Sequence, residues 1–397
     1  MKKMKRFLGL VLALSMVVMS MSGCGTKEKS DSDEKSETGV SSDAKFYIGG
    51  IGPVTGGAAV YGQHVKNGAE LAVKEINDAG GINGTQIAFK FEDDEHDPEK
   101  AVNAYNTLKD WGMDLLMGTV TSNPCKAVAQ ETKNDNMFQL TPSGSSPDCV
   151  IYDNAFQVCF SDPNQGMASA QYIGGKGIAT KVAVIYDSSD VYSSGIYEKF
   201  AEEAKNQNFE IVAAEAFTAD SKSDFSVQLQ KAKDKGAELV FLPIYYQEAT
   251  LILIQAASLD FSPIFFGCDG LDGILDVENF DTALANGVML LTPFAADATD
   301  AATQKFVTDF KASYGDTPNQ FAADAYDAIY IIKEAIEKAD VKAKMSVSEM
   351  GDAIKAAMTE ITVDGLTGAG MTWLATGEVN KAPRAVIIKD GNYVSAE

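Results

Sequence analysis

The chain has 397 residues, 45% of them hydrophobic and 22% charged, and its formal net charge at pH 7 is -23. Such a negative charge argues against nucleic acid as a partner, because phosphate groups would repel the protein. The length exceeds what one hydrophobic core usually supports, so the sequence predicts two lobes.

The beginning of the chain has the pattern of an export signal. Four basic residues lie between positions 2 and 6, and the apolar run over 7–21 is shorter than the about 20 residues that a spanning helix needs. Ser22-Gly23-Cys24 resembles the bacterial lipobox, in which the cysteine is acylated and becomes the first residue of the mature protein. We therefore predict a lipoprotein signal peptide over residues 1–23 and lipidation at Cys24. An ordinary secretory signal with an incidental cysteine is the alternative.

The next segment, residues 24–44, is predicted to be a tether. It is rich in Lys, Ser, Asp and Glu and has almost nothing to bury, so we expect it to be disordered. A chain with this signal and tether is expected to be extracytoplasmic. It would be lipid-anchored to the cell membrane, at the outer face or in the periplasm, with no protein span.

Strand-like and helix-like segments alternate from Lys45 onward, which is typical of a parallel sheet with helices on both faces. Residues 46–51 predict a first strand and residues 87–91 a second. Between them, apolar residues at the helical spacing i, i+3, i+4, i+7 begin at Ala69 and end at Ile76.

Asp97-Pro98 predicts the start of the following helix, because Asp is a preferred N-cap and Pro a preferred first helical residue. The predicted buried face of this helix has three residues: Val102, Tyr105 and Leu108. Residues 115–117 and 138–140 predict further strands of the same sheet.

A second series of strand-like segments predicts a second lobe of the same kind. These segments are 182–185, 211–212, 239–242 and 264–266. Residues 321–339 predict a long late helix, with Ala322, Tyr326 and Ile329 on one face. Residues 365–379 predict strands around turns.

Four cysteines follow Cys24 in the sequence: Cys125, Cys149, Cys159 and Cys268. An exported protein can form disulfides, although a chain of this length does not need them. A Cys125–Cys149 bridge and buried free thiols are both compatible with the sequence.

Several segments resemble the branched-chain amino-acid (Leu/Ile/Val) binding proteins of bacterial ABC transporters. They are IGGIGPVTGGAAVYGQHVKNGAELAVKEINDAGGINGTQIAFKFEDDEHDPEKAV, GTVTSNP, LTPSGSSP and FGCDG. The resemblance implies the α/β fold of a type I periplasmic binding protein, in which two doubly wound parallel-sheet lobes are joined by three hinge crossovers. The ligand then lies in the cleft between the lobes.

On this resemblance the crossovers are expected near Phe160, Pro293 and Ala375. The first lobe is predicted to comprise residues 45–160 plus 294–375. The second lobe is predicted to comprise residues 161–293 plus 376–397. The ligand is expected to be a neutral α-amino acid, most simply leucine, isoleucine or valine.

Two polar segments of the first lobe are candidates for holding the ligand's ionic groups. Thr121-Ser122 follows a strand and opens a helix, so the Ser122 hydroxyl and nearby backbone amides could bind a carboxylate, a role that the resemblance also implies. Capping of that helix by Ser122 or Asn123 is the alternative, and both roles can coexist. A second segment, Ser143-Gly144-Ser145, follows the next strand.

In that second segment, the Ser145 hydroxyl matches a ligand-binding threonine of the family, and Ser143 would contribute its backbone. An ordinary turn is the alternative. Tyr61, placed on the turn before the first helix, matches an aromatic or apolar position that lines the side-chain pocket in the family.

In the second lobe, Tyr192, Tyr245 and Asp269 each follow a predicted strand. The resemblance assigns Asp269 to the ligand ammonium, at a position where relatives commonly have Glu. No Arg or Lys falls at a matched position, so glutamate and aspartate are disfavoured as ligands.

The acidic run 92–97, which contains His96, offers several possible metal ligands, but it lacks the glycine-containing spacing of a calcium loop. The resemblance explains the run as a strand end leading into a helix. It also places His96 where some relatives carry a disulfide cysteine, whose partner would align near Thr121. We therefore predict neither a metal nor a cofactor.

Catalysis is disfavoured, because the chain has only two histidines, His64 and His96, and no G-x-S-x-G or H-E-x-x-H motif. The predicted function is a non-enzymatic solute receptor, a monomer whose partners are an ABC permease and its ATPase subunits. The alternative is a sensor module for another amino acid or a small amide, signalling through a membrane partner.

Overall fold

The structure is a computed structural model that describes residues 44–396. The predicted signal peptide, the lipidation site Cys24 and the predicted tether before residue 44 lie outside the described residues. Within residues 44–396, no helix combines the length and the apolar character needed to cross a bilayer.

Five strands form the first sheet. They are β1 (Lys45–Gly52), β2 (Gln86–Asp93), β3 (Leu115–Gly118), β4 (Gln139–Thr141) and β5 (Ala155–Gln157). Their order in the sheet is β2-β1-β3-β4-β5, and every neighbouring pair is parallel. All five strands therefore end at the same edge of the sheet.

Seven strands form the second sheet. They are β6 (Lys181–Asp187), β7 (Glu210–Phe217), β8 (Leu239–Leu242), β9 (Ile264–Gly267), β10 (Met289–Thr292), β11 (Arg384–Lys389) and β12 (Asn392–Ser395). Their order is β12-β11-β10-β9-β8-β6-β7. Strands β6 to β10 are parallel, whereas β11 pairs antiparallel with both β10 and β12.

Ten α-helices cover the faces of the sheets. They are α1 (Ala59–Asp78), α2 (Pro98–Trp111), α3 (Ser122–Asp135), α4 (Asp162–Lys176), α5 (Val191–Glu203), α6 (Ser226–Asp234), α7 (Tyr246–Ser258), α8 (Ala301–Tyr314), α9 (Gln320–Lys338) and α10 (Val347–Met358) in the described residues. The α/β architecture with helices packed on parallel sheets is the fold class that the sequence predicts.

Helix α2 shows how local sequence sets an element. The Asp97 carboxylate accepts hydrogen bonds from the Glu99 and Lys100 amides, and Pro98 is the first helical residue, as predicted. The buried face contains Ala101, Ala104, Tyr105 and Leu108. Val102, predicted to be on that face, is only half-buried, because the neighbouring small alanines face the sheet instead.

The chain passes between the two sheets three times. The first passage joins β5 to α4, which packs on the second sheet, and the second joins β10 to α8, which packs on α1 and α9. The third runs from Lys381 to β11. Lys381 forms a buried ion pair with Asp324 of α9 at 2.9 Å, so the chain contacts the first lobe up to this point. These passages are the three crossovers that the family resemblance implies.

The structure corrects the interpretation of one segment and decides between the two alternatives for the cysteines. Residues 365–379 contain no strand, because the Gly-rich segment folds as successive turns. Their pairings are isolated bridges, of Met371 with Val363 just before the segment and of Trp373 with Val379. All four cysteines of the described residues are free and buried, which is the second of the two alternatives considered above.

Candidate functional site

The carboxyl ends of the two parallel sheets face each other across an inner cavity. It is lined by Tyr61, Val120, Thr121, Ser122, Ser143, Ser145, Tyr192, Tyr245, Asp269, Gly270 and Phe321. Its volume is about 10 Å³, close to the space of one water molecule. A ligand as large as an amino acid can therefore enter only if the lobes separate or the lining side chains move.

Of the nine residues that the sequence suggested for ligand binding, eight line this inner cavity and Gly144 does not. The Gly144 amide donates to Thr141 Oγ1 at 2.7 Å. A Cβ atom at this position would lie 3.0 Å from Cys125, so the glycine gives the loop the room to pack on α3. Gly144 therefore shapes the loop after β4 and does not line the inner cavity.

Ser122 is the first residue of α3 and is 1% exposed. Its Oγ accepts a hydrogen bond from the Ser146 amide at 3.3 Å, which leaves the hydroxyl proton available for another acceptor. The residue at the N-cap is Thr121, and its side chain makes no capping hydrogen bond. The capping role considered for Ser122 and Asn123 is therefore wrong in this structure, because both lie within the helix.

The two serines of the second loop have different surroundings. Ser143 Oγ donates to the Val120 carbonyl at 2.7 Å and so ties the loop after β4 to the loop after β3. Ser145 Oγ is buried and has no hydrogen-bond partner among the described residues. A buried hydroxyl without a partner is costly, so Ser145 is available to a ligand.

Asp269 follows β9 and is 4% exposed. Its carboxylate accepts from the Tyr192 hydroxyl at 2.7 Å and from Gln165 Nε2 at 2.9 Å. Burial raises the pKa of Asp269 to about 7, although these two hydrogen bonds act in the opposite direction. No Lys, Arg or His lines the inner cavity in the described part of the chain, so the carboxylate has no cationic partner there.

Asp162, the first residue of α4, is a second buried carboxylate near this site that sequence reasoning missed. Its amide donates to the Ser145 carbonyl at 3.0 Å, and neither of its carboxylate oxygens has a partner among residues 44–396. Burial raises the pKa of Asp162 well above its usual value, the nearby Ser145 hydroxyl acts in the opposite direction, and the negative charge of Asp269 adds to the rise. In the sequence, Ser161-Asp162-Pro163 carries only the signal of a helix start.

Four aromatic rings form the apolar part of the inner cavity: Tyr61, Tyr192, Tyr245 and Phe321. Tyr61 lies in the first turn of α1 and not on the preceding turn as predicted, because the helix already begins at Ala59. Its ring packs on Phe321 with centroids 4.3 Å apart, and its hydroxyl donates to the Gly270 carbonyl at 2.5 Å. Tyr61 thus joins the first lobe to the second.

A second, outer cavity of about 270 Å³ adjoins the first, and Tyr192 and Tyr245 line both. Its other lining residues include His96, Asn123, Asp190, Lys222 and Glu248. Asn123 Nδ2 donates to Asp190 Oδ2 at 3.3 Å and so connects the lobes at this level.

His96 lies between the acidic run and the cleft. Its Nδ1 is 2.8 Å from Thr121 Oγ1, so a hydrogen bond joins the two positions where the resemblance places a disulfide in some relatives. Burial lowers the pKa of His96 to about 4, so the ring is neutral at pH 7.

The aspartates of the acidic run accept hydrogen bonds from backbone amides, whereas Glu92 and Glu95 form ion pairs with lysines. Asp93 Oδ1 accepts from Val54 and Glu95, and Asp94 Oδ1 accepts from His96. No group of three or more His, Cys, Asp or Glu side chains is arranged for a metal ion within residues 44–396.

The chain is similar to known proteins in both sequence and structure. A family model described as periplasmic binding protein matches residues 45–392. A Leu/Ile/Val-binding protein homolog from Brucella melitensis is 30% identical over 358 residues, covering 89% of this chain and 94% of the relative. A leucine-, isoleucine-, valine-, threonine-, and alanine-binding protein from Pseudomonas aeruginosa is 28% identical, with 72% and 77% covered.

A solved structure extends this similarity to the fold. The branched-chain amino acid transporter substrate binding protein LivJ from Streptococcus pneumoniae, in complex with isoleucine, superimposes with a TM-score of 0.80 at 28% identity. The match covers 89% of this chain and 99% of that protein.

Proposed function

The chain belongs to the periplasmic binding protein family, and from this premise we propose that it is an extracytoplasmic solute-binding protein of an ABC importer. It captures a neutral α-amino acid, and the names of its relatives favour a branched-chain one. A lipid on Cys24 holds it at the membrane, where an ABC permease and its ATPase subunits are its partners.

One observation carries the proposal. Asp269 of the second lobe and Ser122 of the first line the same buried cavity. An α-amino acid carries a carboxylate and an ammonium on one carbon, and a site for it must supply donors and acceptors at that spacing. The lining of the inner cavity includes the Ser122 and Ser145 hydroxyls of the first lobe and the Asp269 carboxylate of the second, which supports this assignment.

The ligand carboxylate is assigned to Ser122 and the first turn of α3. The positive end of a helix of 14 residues attracts an anion, and the Ser122 hydroxyl proton is free to donate. The Thr121 side chain, held by His96, makes no capping bond that would compete for the same amides.

The ligand ammonium is assigned to Asp269, with Ser145 Oγ and the carboxylate of Asp162 close by. Asp269 and Asp162 are buried without a cationic partner. The ammonium group of an entering ligand would supply a positive charge next to them, and its attraction to the carboxylates is strong because the surroundings have a low dielectric constant. Because no basic residue of residues 44–396 lines the inner cavity, a second carboxylate on the ligand would be left unpaired.

The four aromatic rings form the wall around the ligand side chain. Bonds between the lobes close the site: Tyr61 to Gly270, and Asn123 to Asp190. A ligand that touches both lobes favours the closed form by its differential contacts, and the permease would recognise that form.

A thermal-shift screen of the protein without its first 43 residues against the twenty amino acids tests this function. A ligand that binds only the native state raises the melting temperature by an amount set by its concentration and Kd. We expect shifts for small neutral amino acids and none for glutamate or aspartate. Absence of a shift with every amino acid, followed by absence of heat in titration calorimetry, would reject the proposal.

The anchor is tested separately, by fractionating cells that produce the full chain. The wild type is expected in the membrane fraction and the Cys24→Ala variant in the precursor form or the soluble fraction. A wild-type protein that needs no detergent for release would show that Cys24 carries no lipid.

A further inference from the structure

Three tyrosine hydroxyls reach the inner cavity, and one of them is unpaired. Tyr61 donates to the Gly270 carbonyl at 2.5 Å, and Tyr192 donates to Asp269 Oδ1 at 2.7 Å. The Tyr245 hydroxyl oxygen is buried and has no hydrogen-bond partner within residues 44–396. A buried hydroxyl in a native protein nearly always has a partner, so the exception points to a group that is supplied from outside the chain.

The ring of Tyr245 is held from several sides, which fixes the position of its hydroxyl. It stacks on Tyr192 with centroids 4.9 Å apart and planes at 12°. His96 and Tyr61 meet it edge-on at 5.4 Å and 5.7 Å. Burial, and then the negative charge of Asp190, raises the pKa of Tyr245 well above its usual value, so the group stays a hydroxyl and can donate.

Its place in the site separates Tyr245 from the groups assigned to the ligand's ionic ends. Ser122 lies at the start of α3 and Asp269 after β9, whereas Tyr245 precedes α7 and forms the wall between the inner and outer cavities. A side chain leaving the ligand's α-carbon toward this wall meets the unpaired hydroxyl.

We propose that Tyr245 is a specificity-determining residue, whose hydroxyl hydrogen-bonds a polar group on the ligand side chain. The hydroxyl therefore lets the site bind a β-hydroxy amino acid in addition to the branched-chain ones of the proposed function. Threonine and valine are matched probes, because they have nearly the same shape and differ by a hydroxyl in place of a methyl group. This inference rests on the proposed function, since it assumes that an α-amino acid occupies the inner cavity.

The experiment is titration calorimetry of threonine and valine with the wild type and with Tyr245→Phe, which removes only the hydroxyl. We expect the variant to lose about 3- to 10-fold in affinity for threonine while valine binds equally well or better. The control is Tyr152→Phe, which removes a surface hydroxyl that donates to Gln130 Oε1 at 2.6 Å outside both cavities. The control should leave the threonine-to-valine ratio unchanged.

Each other outcome has one meaning. Equal loss for both amino acids would place the Tyr245 hydroxyl on the ligand's common carboxylate or ammonium group and overturn the inference. An unchanged ratio, or a wild type that binds valine and not threonine, would overturn it as well. Failure of the wild type to bind any amino acid in the screen above would instead reject the proposed function. Circular dichroism melting curves establish that the Tyr245→Phe variant is folded.

Discussion

Replacement of Asp269 by Asn tests the assignment of the ligand ammonium most directly. The change keeps the size of the side chain and removes its charge. The Tyr192 and Gln165 side chains, which both donate to the carboxylate, would then share one acceptor oxygen. The ligand ammonium would lose a buried, charge-assisted hydrogen bond.

The expected loss follows from the burial of the pair. Asp269 is 4% exposed, so little water screens its charge. Removal of one partner of a desolvated, hydrogen-bonded charge pair costs about 2 to 5 kcal/mol, which is about 30-fold to several thousand-fold in Kd. Asp269→Glu, which keeps the negative charge, should retain most of the affinity.

The assay is titration calorimetry with the amino acid that the screen identifies. The matched control is Asp114→Asn, because burial also raises the pKa of Asp114, to about 6, and the residue lies outside the inner cavity. Among residues 44–396, its carboxylate accepts a hydrogen bond only from the Tyr47 amide, at 2.8 Å. The control should bind as the wild type does. A folded Asp269→Asn variant whose Kd stays within threefold of the wild-type value would refute the assignment.

Three further predictions concern the pH dependence of affinity, the stability of the ligand-free protein and closure of the lobes. Ammonium binding needs an ionised Asp269, whose pKa is about 7. The affinity for the amino acid should therefore rise by up to about tenfold per pH unit below pH 7 and level off above it. An affinity that calorimetry finds constant from pH 5 to 8 would contradict this. Because the pKa of Asp269 is raised from 3.8 to about 7 in the folded protein, this group stabilises the ligand-free fold at low pH, and the stabilisation is lost as pH rises through about 7. At pH 8, ligand-free Asp269→Asn should therefore melt at a higher temperature than the ligand-free wild type. Asn123→Ala removes the hydrogen bond to Asp190 between the lobes and should lower the affinity for every amino acid alike, by about 3- to 10-fold. A change in the order of affinities among the amino acids would show instead that Asn123 contacts the ligand.

Much of the candidate site could be predicted from the sequence because it depends on topology. Loops that follow parallel strands meet at one edge of a sheet, so the residues after β3, β4, β6, β8 and β9 converge whatever their side chains. The polar residues in those loops therefore identified most of the lining without any pairwise distance. The family resemblance added the assignment of lobes and of ionic roles.

The remaining residues depend on packing across the crossovers. Phe321 stands near Asp269 only because α9 returns to the first lobe after the second passage, and no local pattern marks this. Asp162 has the sequence of an ordinary helix start, and its lack of partners is a property of the assembled lobes. Gly144 shows the opposite case, a residue in the right loop that the structure turns away from the cavity.

Strand β11 illustrates a local signal that the sequence interpretation did not use. Asp390 and Gly391 have φ angles of 49° and 73° and form the two-residue turn between β11 and β12. An Asp-Gly pair between apolar residues is a strong hairpin signal. The hairpin explains why β12 runs antiparallel to β11.

The hydrogen bond between His96 and Thr121 has a consequence for how the protein can be made and where it can work. It joins the acidic run to the start of α3 without a covalent link, and the four cysteines of the described residues are buried as thiols. Folding of residues 44–396 therefore requires neither an oxidant nor a disulfide isomerase. We expect the body of the protein to be equally active from a reducing cytoplasm or an oxidising compartment, and to keep its affinity in anaerobic surroundings.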